Sequence, residues 1–191
     1  AACITTPNVN MLLLTNDDDN TAAQLEAIRW QLKHLNDKVR DGGLDMGVKV
    51  APNNADHIGF PQLGSHIYVG TANTPAAGRS KTIHIAVLTE VAYWMKTVQG
   101  VTPEKSFKGI TESVPLDGFV MAESTPNGPS GFFFDGYREE GNSFVKHFYP
   151  WFIEPSRAIA LPDGYQLLLT PDEAALVEKH GLTQEQIAWR R

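Results

Sequence analysis

Ile83-His84-Ile85-Ala86-Val87-Leu88-Thr89-Glu90-Val91-Ala92-Tyr93-Trp94 is the stretch from which the rest of the chain can be read. A near-continuous apolar run ends on a single carboxylate. A second run, Gly118-Phe119-Val120-Met121-Ala122-Glu123, ends on Ser124-Thr125-Pro126-Asn127-Gly128. Apolar runs of this kind predict strands buried on both faces, as in a parallel α/β sheet. In such sheets ligands bind outside the carboxyl ends of the strands. Glu90 and the Ser124-Thr125 pair are therefore expected side by side on one rim. A carboxylate beside two hydroxyls has the chemistry to handle a water and a phosphate, as a nucleotide hydrolase must.

Upstream, Met11 to Thr15 predicts another strand, and Asn16-Asp17-Asp18-Asp19-Asn20 supplies a turn and a helix N-cap. Three aspartates invite a metal-site reading. Acidic residues ahead of a helix also favour its positive dipole end, and that reading is preferred. Ala22, Leu25, Ile28, Leu32, Leu35 and Val39 recur at helical spacing, with Asp41-Gly42-Gly43 as the stop. Val48 to Ala51 and Ser65 to Ala72 are strand candidates, and Asn73 to Arg79 is a Pro/Gly-containing loop. Beyond Thr89 a helix is expected through Trp94 and Lys96. Gly131 to Glu140 predicts a helix, Phe144 to Phe152 a strand, and Ile153 to Leu169 an irregular stretch broken by Pro155, Pro162 and Gly164. Two capped helices close the chain. Thr170-Pro171-Asp172-Glu173 combines an N-cap, a helix-starting proline and a capping-box Glu, and Thr183-Gln184-Glu185-Gln186 repeats the box with Gln.

At 191 residues the chain suits one α/β domain, and its 42% hydrophobic content is that of a soluble globular protein. A formal charge of -6 argues against a strongly basic, free-standing nucleic-acid binder. It leaves room for a DNA motor whose contacts lie in one loop or another domain. The lone Cys3 cannot form an intrachain disulfide, which suits a reducing compartment. No apolar run approaches the ~20 residues of a membrane span. The six histidines show no metal-ligand spacing, and no zinc site is expected. The aromatic residues Phe132 to Phe134, Phe144, Phe148, Tyr149, Trp151 and Phe152 are expected to pack in a core rather than stack on bases. A chain that starts at Ala1 and stops within a helical pattern at Arg190-Arg191 reads as a piece of a longer polypeptide.

Gly78-Arg79-Ser80-Lys81-Thr82-Ile83 ahead of the Glu90 strand, the Glu123-Ser124-Thr125-Pro126-Asn127-Gly128 segment and the tail Gln186-Ile187-Ala188-Trp189-Arg190-Arg191 together resemble the large terminase subunit of tailed bacteriophages, from about Met11 to Arg191. That family packages DNA into procapsids with an N-terminal ATPase domain and a C-terminal nuclease domain. The resemblance implies a P-loop NTPase (RecA/ASCE-like) α/β fold with a mainly parallel sheet flanked by helices. It further implies that residues 1–152 form the C-terminal part of the ATPase domain and 153–191 a linker toward the nuclease domain.

In this likeness Glu90 is the catalytic glutamate of the Walker B strand, and Ser124 and Thr125 form the coupling motif that senses nucleotide. Arg79 could reach a neighbouring subunit's γ-phosphate, a role that suits a planar, permanently charged guanidinium. Thr89 stands where the family usually has Asp and could order a Mg²⁺-bound water. ATP and Mg²⁺ are the implied cofactors. Double-stranded DNA, the portal protein, the small terminase subunit and further copies in a ring are the implied partners, and the bacterial host's cytoplasm the implied location.

The 191 residues contain no Gly-x-x-x-x-Gly-Lys-Ser/Thr, which the resemblance would put upstream of Met11. Alone, the chain is expected to bind ATP no better than millimolar, and the strand Gly118 to Glu123, the phosphate-loop strand's usual neighbour, to be an open or covered edge at Val120. Two alternatives remain: another ATP-driven nucleic-acid motor such as a helicase, and a non-catalytic interaction module for portal or small subunit.

Overall fold

The structure is a computed structural model that describes residues 2–40, 48–51, 53–72, 81–97 and 99–191, with side chains of 36–40 excepted. Two compact units emerge, Ala1–Asn142 and Ser143–Arg191. The division at 152/153 suggested by the sequence falls inside the second.

The first unit runs α1 (Ala2–Thr5), β1 (Asn10–Thr15), α2 (Asp18–Arg40), β2 (Asn53–Asn54), β3 (His57–Phe60), β4 (Ser65–Thr71), β5 (Ile85–Leu88), α3 (Pro103–Thr111), β6 (Phe119–Ala122) and α4 (Phe132–Arg138). Its six strands form one sheet in the order β2-β3-β4-β1-β5-β6. The four strands β4, β1, β5 and β6 are parallel, and β3 and β2 are added antiparallel beyond β4. The register sets Leu14 opposite Leu88 and Leu88 opposite Ala122, so the carboxyl ends of β1, β5 and β6 are level.

The side-chain alternation of β1 divides the core between two faces. Leu12 and Leu14 join Ile83, Ala86, Leu88, Val91 and Trp94, and Phe107, Ile110, Phe132 and Phe133 pack against them. Leu13 joins Cys3, Leu25, Ile58, Phe60, Ile67 and Val69, backed by Ile28 and Leu32 of α2. A buried Leu or Ile is worth ~1.5–3 kcal/mol relative to an exposed one, so both faces anchor the central strands. At the head of α2, Asp17 Oδ1 accepts the Asn20 N–H at 2.8 Å, and Asp18 accepts the Thr71 hydroxyl. Two of the three aspartates thus have local structural partners.

β6 is the last strand of the sheet, with Phe119 58% and Met121 42% exposed. The chain enters it through Gly118, where a Cβ would collide with the Val114 side chain and come within 2.8 Å of the His84 carbonyl oxygen. No helix among the described residues is long and apolar enough to cross a membrane.

Several expected elements differ. Val48–Ala51 is not a strand. The Ala51 N–H reaches the Gly59 carbonyl, but Pro52 next to it has no N–H to extend a ladder. The helix expected from Thr89 to Lys96 is a single 3₁₀ turn, Val91–Tyr93, because Trp94 adopts an extended backbone. Asp41-Gly42-Gly43 and Asn73 to Arg79 lie outside the described residues.

In the second unit, Phe144–Phe152 does not form a strand. A 3₁₀ turn (Trp151–Ile153) follows irregular backbone, and Phe148 and Tyr149 are exposed rather than in a core. α5 (Pro171–His180) and α6 (Gln184–Arg190) both carry complete capping boxes, and Gly181, at φ 65°, ends α5. Trp151 stacks on Trp189 with centroids 5.5 Å apart.

Candidate functional site

The candidate site lies where β5 and β6 end. β5 leaves the sheet through Thr89, whose N–H donates to the Leu14 carbonyl at 2.8 Å and whose hydroxyl donates to the same oxygen at 3.3 Å. The buried Trp94 donates its indole N–H back to the Thr89 carbonyl at 3.0 Å and so closes the turn. Between them, Glu90 is held at φ 51°, ψ 40°, the left-handed region. That conformation costs an L-residue about 1–2 kcal/mol, so the surrounding contacts must hold it.

β6 brings the partners. The Thr125 hydroxyl donates to Glu90 Oε2 at 3.1 Å, and the Ser124 hydroxyl lies 3.4 Å from the same oxygen. Ser124 also lies 2.9 Å from the Thr125 carbonyl and accepts the Ala92 N–H at 3.2 Å. A hydroxyl has one proton to give. The shorter path takes it to the carbonyl, which leaves Thr125 as the main donor to Glu90. Asn127 Nδ2 donates to the Ala92 carbonyl at 3.0 Å and the Tyr93 hydroxyl to the Pro126 carbonyl at 3.2 Å. The Ser-Thr-Pro-Asn loop is thereby stitched along the 3₁₀ turn after Glu90.

The expected juxtaposition of Glu90 with Ser124 and Thr125 is therefore present. Thr89 is adjacent but spends its proton on Leu14, which leaves an oxygen that can still accept. Arg79 lies outside the described residues. Three residues not singled out from the sequence belong to the site: Trp94, Asn127 and Glu123. Glu123 sets its carboxylate 3.4 Å from the Glu90 amide, and its pKa is raised, first by desolvation and further by the Glu90 charge, with the amide opposing. Asn127 carried a readable signal, since an Asn-Gly pair at a strand end is a turn signature.

Elsewhere on the sheet, His57 Nε2 and His66 Nδ1 are 2.9 Å apart, His57 stacks on Tyr68, and Lys81 Nζ lies 3.5 Å from the Tyr68 ring centre. Desolvation, then the charges of His66 and Lys81, push the His57 pKa down against the pull of Asp56. Among the described residues no group of three or more His, Cys, Asp or Glu is arranged to hold a metal ion.

No family model matches this sequence, and no curated protein does. Among solved structures, the large terminase ATPase domain of a Thermus phage superposes with a TM-score of 0.48 and 15% identity, covering 71% of this chain and 54% of that one. The chain thus spans about half the length of that protein. A likeness of this degree carries no argument about activity, and the site rests on its own geometry.

Proposed function

We propose that this chain carries the water-activating carboxylate and hydroxyl sensor of a P-loop-type ATPase, within a motor that drives DNA into a viral procapsid. The observation that supports this most is the Thr125 hydroxyl on Glu90 Oε2 at 3.1 Å, which links the ends of two adjacent parallel strands. The packaging role itself leans on the sequence resemblance to large terminases.

In this reading Glu90 orients a water and takes its proton. Its Oε2 is held by Thr125, and among the described residues no hydrogen bond engages Oε1, which is free to accept. Protonation of Glu90 weakens the pull on the Thr125 hydroxyl. Because Ser124 and Asn127 are tied to Ala92, and Tyr93 to Pro126, that change reaches the end of β6 directly. This gives the hydroxyl pair a physical route for coupling hydrolysis to movement.

The residues available to Mg²⁺ fit an indirect role: the Thr89 oxygen can accept from a metal-bound water, while the nearby carboxylates supply negative charge. When bound, the ion would offset charge developing on the phosphates. The phosphate loop that completes such a site has no counterpart in these 191 residues.

The test is steady-state ATP turnover in a polypeptide that includes this segment and a phosphate loop. Glu90→Gln is expected to lower turnover by about 10²–10⁴-fold with nucleotide binding retained. Near-wild-type turnover would reject the assignment. For Arg79 we propose a role in trans, on a neighbouring subunit's γ-phosphate. Mixing Arg79→Ala with Glu90→Gln subunits should then restore part of the activity, and no recovery at any ratio under subunit exchange rejects it. The missing phosphate loop favours one second reading, a non-catalytic docking module. Calorimetry on the 191-residue chain is expected to give ATP affinity no better than millimolar, on the order of -4 kcal/mol, on either reading. Turnover in the longer polypeptide separates them.

A further inference from the structure

We propose that Glu123 is a positioning residue for Glu90, gripping the end of β5 at three points and holding Glu90 in its left-handed turn; the catalytic meaning of this rests on the hydrolytic reading above. The Glu123 N–H donates to the Leu88 carbonyl at 2.9 Å, and its own carbonyl accepts the Val91 N–H at 3.2 Å. Its carboxylate Oε1 then accepts the Glu90 N–H at 3.4 Å. One residue thus bonds to the backbone two residues before the strained position, at it, and one residue after it.

The two backbone bonds would survive any side chain. The third depends on an acceptor at position 123. Left-handed backbone at a non-glycine residue persists only where its surroundings over-determine it. The side-chain bond is long by ordinary standards, so its role is to choose between conformations already near in energy rather than to anchor the strand. Choosing the left-handed one matters because it turns the Glu90 side chain toward Thr125. In that conformation Glu90 Oε2 accepts the Thr125 hydroxyl at 3.1 Å.

The acceptor is also tunable. Desolvation of the Glu123 carboxyl favours its protonated form, the Glu90 amide opposes this by favouring the ionised one, and the neighbouring Glu90 charge adds to the first. Glu90 is the charged group that bears on it among the described residues.

The test uses NMR of the 191-residue chain, whose 21.0 kDa allows residue-level assignment. The Cα shift and HN–Hα coupling of Glu90 report its backbone conformation. In Glu123→Ala these should leave the left-handed range, and in Glu123→Gln, which keeps an oxygen acceptor, they should stay within it. In the unmodified protein the Glu90 amide shift should follow the Glu123 side-chain carboxyl carbon through its titration, a measurement that needs no variant. Glu90 signals unmoved in Glu123→Ala, or an amide that titrates independently of Glu123, would overturn the proposal. In the turnover assay, Glu123→Ala should lower kcat about 10-fold or more at unchanged KM, with Glu123→Gln recovering most of it. Turnover indifferent to Glu90→Gln would sink the hydrolytic reading and leave the NMR result on positioning standing.

Discussion

Glu90 and Glu173 sit at the ends of regular elements, and their surroundings are opposite. Glu173 occupies the third position of α5. Its carboxylate accepts the Thr170 N–H at 2.7 Å and both a 2.9 Å and a 2.8 Å bond from the Arg191 guanidinium. The Arg191 bonds first, then the Thr170 amide, hold its pKa at about 2. Glu90 is in left-handed backbone, accepts the Thr125 hydroxyl at 3.1 Å with the Ser124 hydroxyl 3.4 Å away, and sits beside another carboxylate. Among the described residues no cation pairs with it. A carboxylate that a guanidinium and an amide have saturated is a poor proton acceptor. One held on a single oxygen by weak donors keeps the other for chemistry. Where every local preference agrees, the residue supports the fold; where they conflict, function is the first hypothesis to test.

The widest separation between the two should be in activity. In a polypeptide that turns over ATP, Glu90→Gln is expected to cost about 10²–10⁴-fold. Glu173→Gln, assayed where it remains folded, should stay within about threefold. Equal losses would erase the distinction drawn here.

Acid should distinguish them in the other direction. The folded-state pKa of Glu173 is depressed from 4.5 to about 2, so its stabilising contribution is complete above pH 4.5 and is lost as pH falls toward 2. Thermal melts between pH 6 and 2 should show Tm falling across that window in the wild type and less steeply in Glu173→Gln. Parallel curves would mean that the Arg191 pair contributes little in solution.

A smaller effect is expected at the cap itself. Thr170→Ala removes the hydroxyl that accepts the Glu173 N–H and should cost about 0.5–2 kcal/mol in urea unfolding followed by helical circular dichroism. Thr170→Ser should recover most of it. The smallest change, and of reversed sign, is Glu90→Gly. Glycine removes the left-handed penalty but adds unfolded-state freedom, so a net gain of about 0–1 kcal/mol is expected, with turnover lost. Destabilisation well beyond 1 kcal/mol would show that the Glu90 side chain is part of the scaffold.

The same contrast explains what could be read from the residues alone. The strands β1, β4 and β5 were legible because their apolar runs reflect burial, and the two capping boxes because their partners lie three residues apart. β6 was legible as a strand, but the expected burial on both faces fails there because it is an edge strand with Phe119 and Met121 exposed. Glu90 beside Ser124-Thr125 followed from parallel strands ending level. Phe144–Phe152 misled because alternation describes a strand without supplying a partner. The helix expected after Thr89 failed because the Trp94 indole takes the Thr89 carbonyl, a contact with no sequence period. β3 was missed because His57-Ile58-Gly59-Phe60 is short and includes a glycine. α3 could have been found, since Thr102-Pro103-Glu104 is a helix start. Glu123 could not, because its meaning comes from the turn it faces across the sheet. Arg79 lies outside the described residues.

Gly118 extends the site to a place that no inspection of its chemistry would reach. β6 is a rod of four residues, ~13 Å long, with glycine at one end and the Ser124-Thr125 pair just past the other. Even an added methyl group at 118 would be levered against Val114 and the His84 carbonyl, tilting the rod and spoiling the alignment at its far tip. A genetic screen for inactive but folded variants should therefore return position 118 alongside 90 and 125, and a second-site suppressor should be sought at Val114, where a smaller side chain makes room.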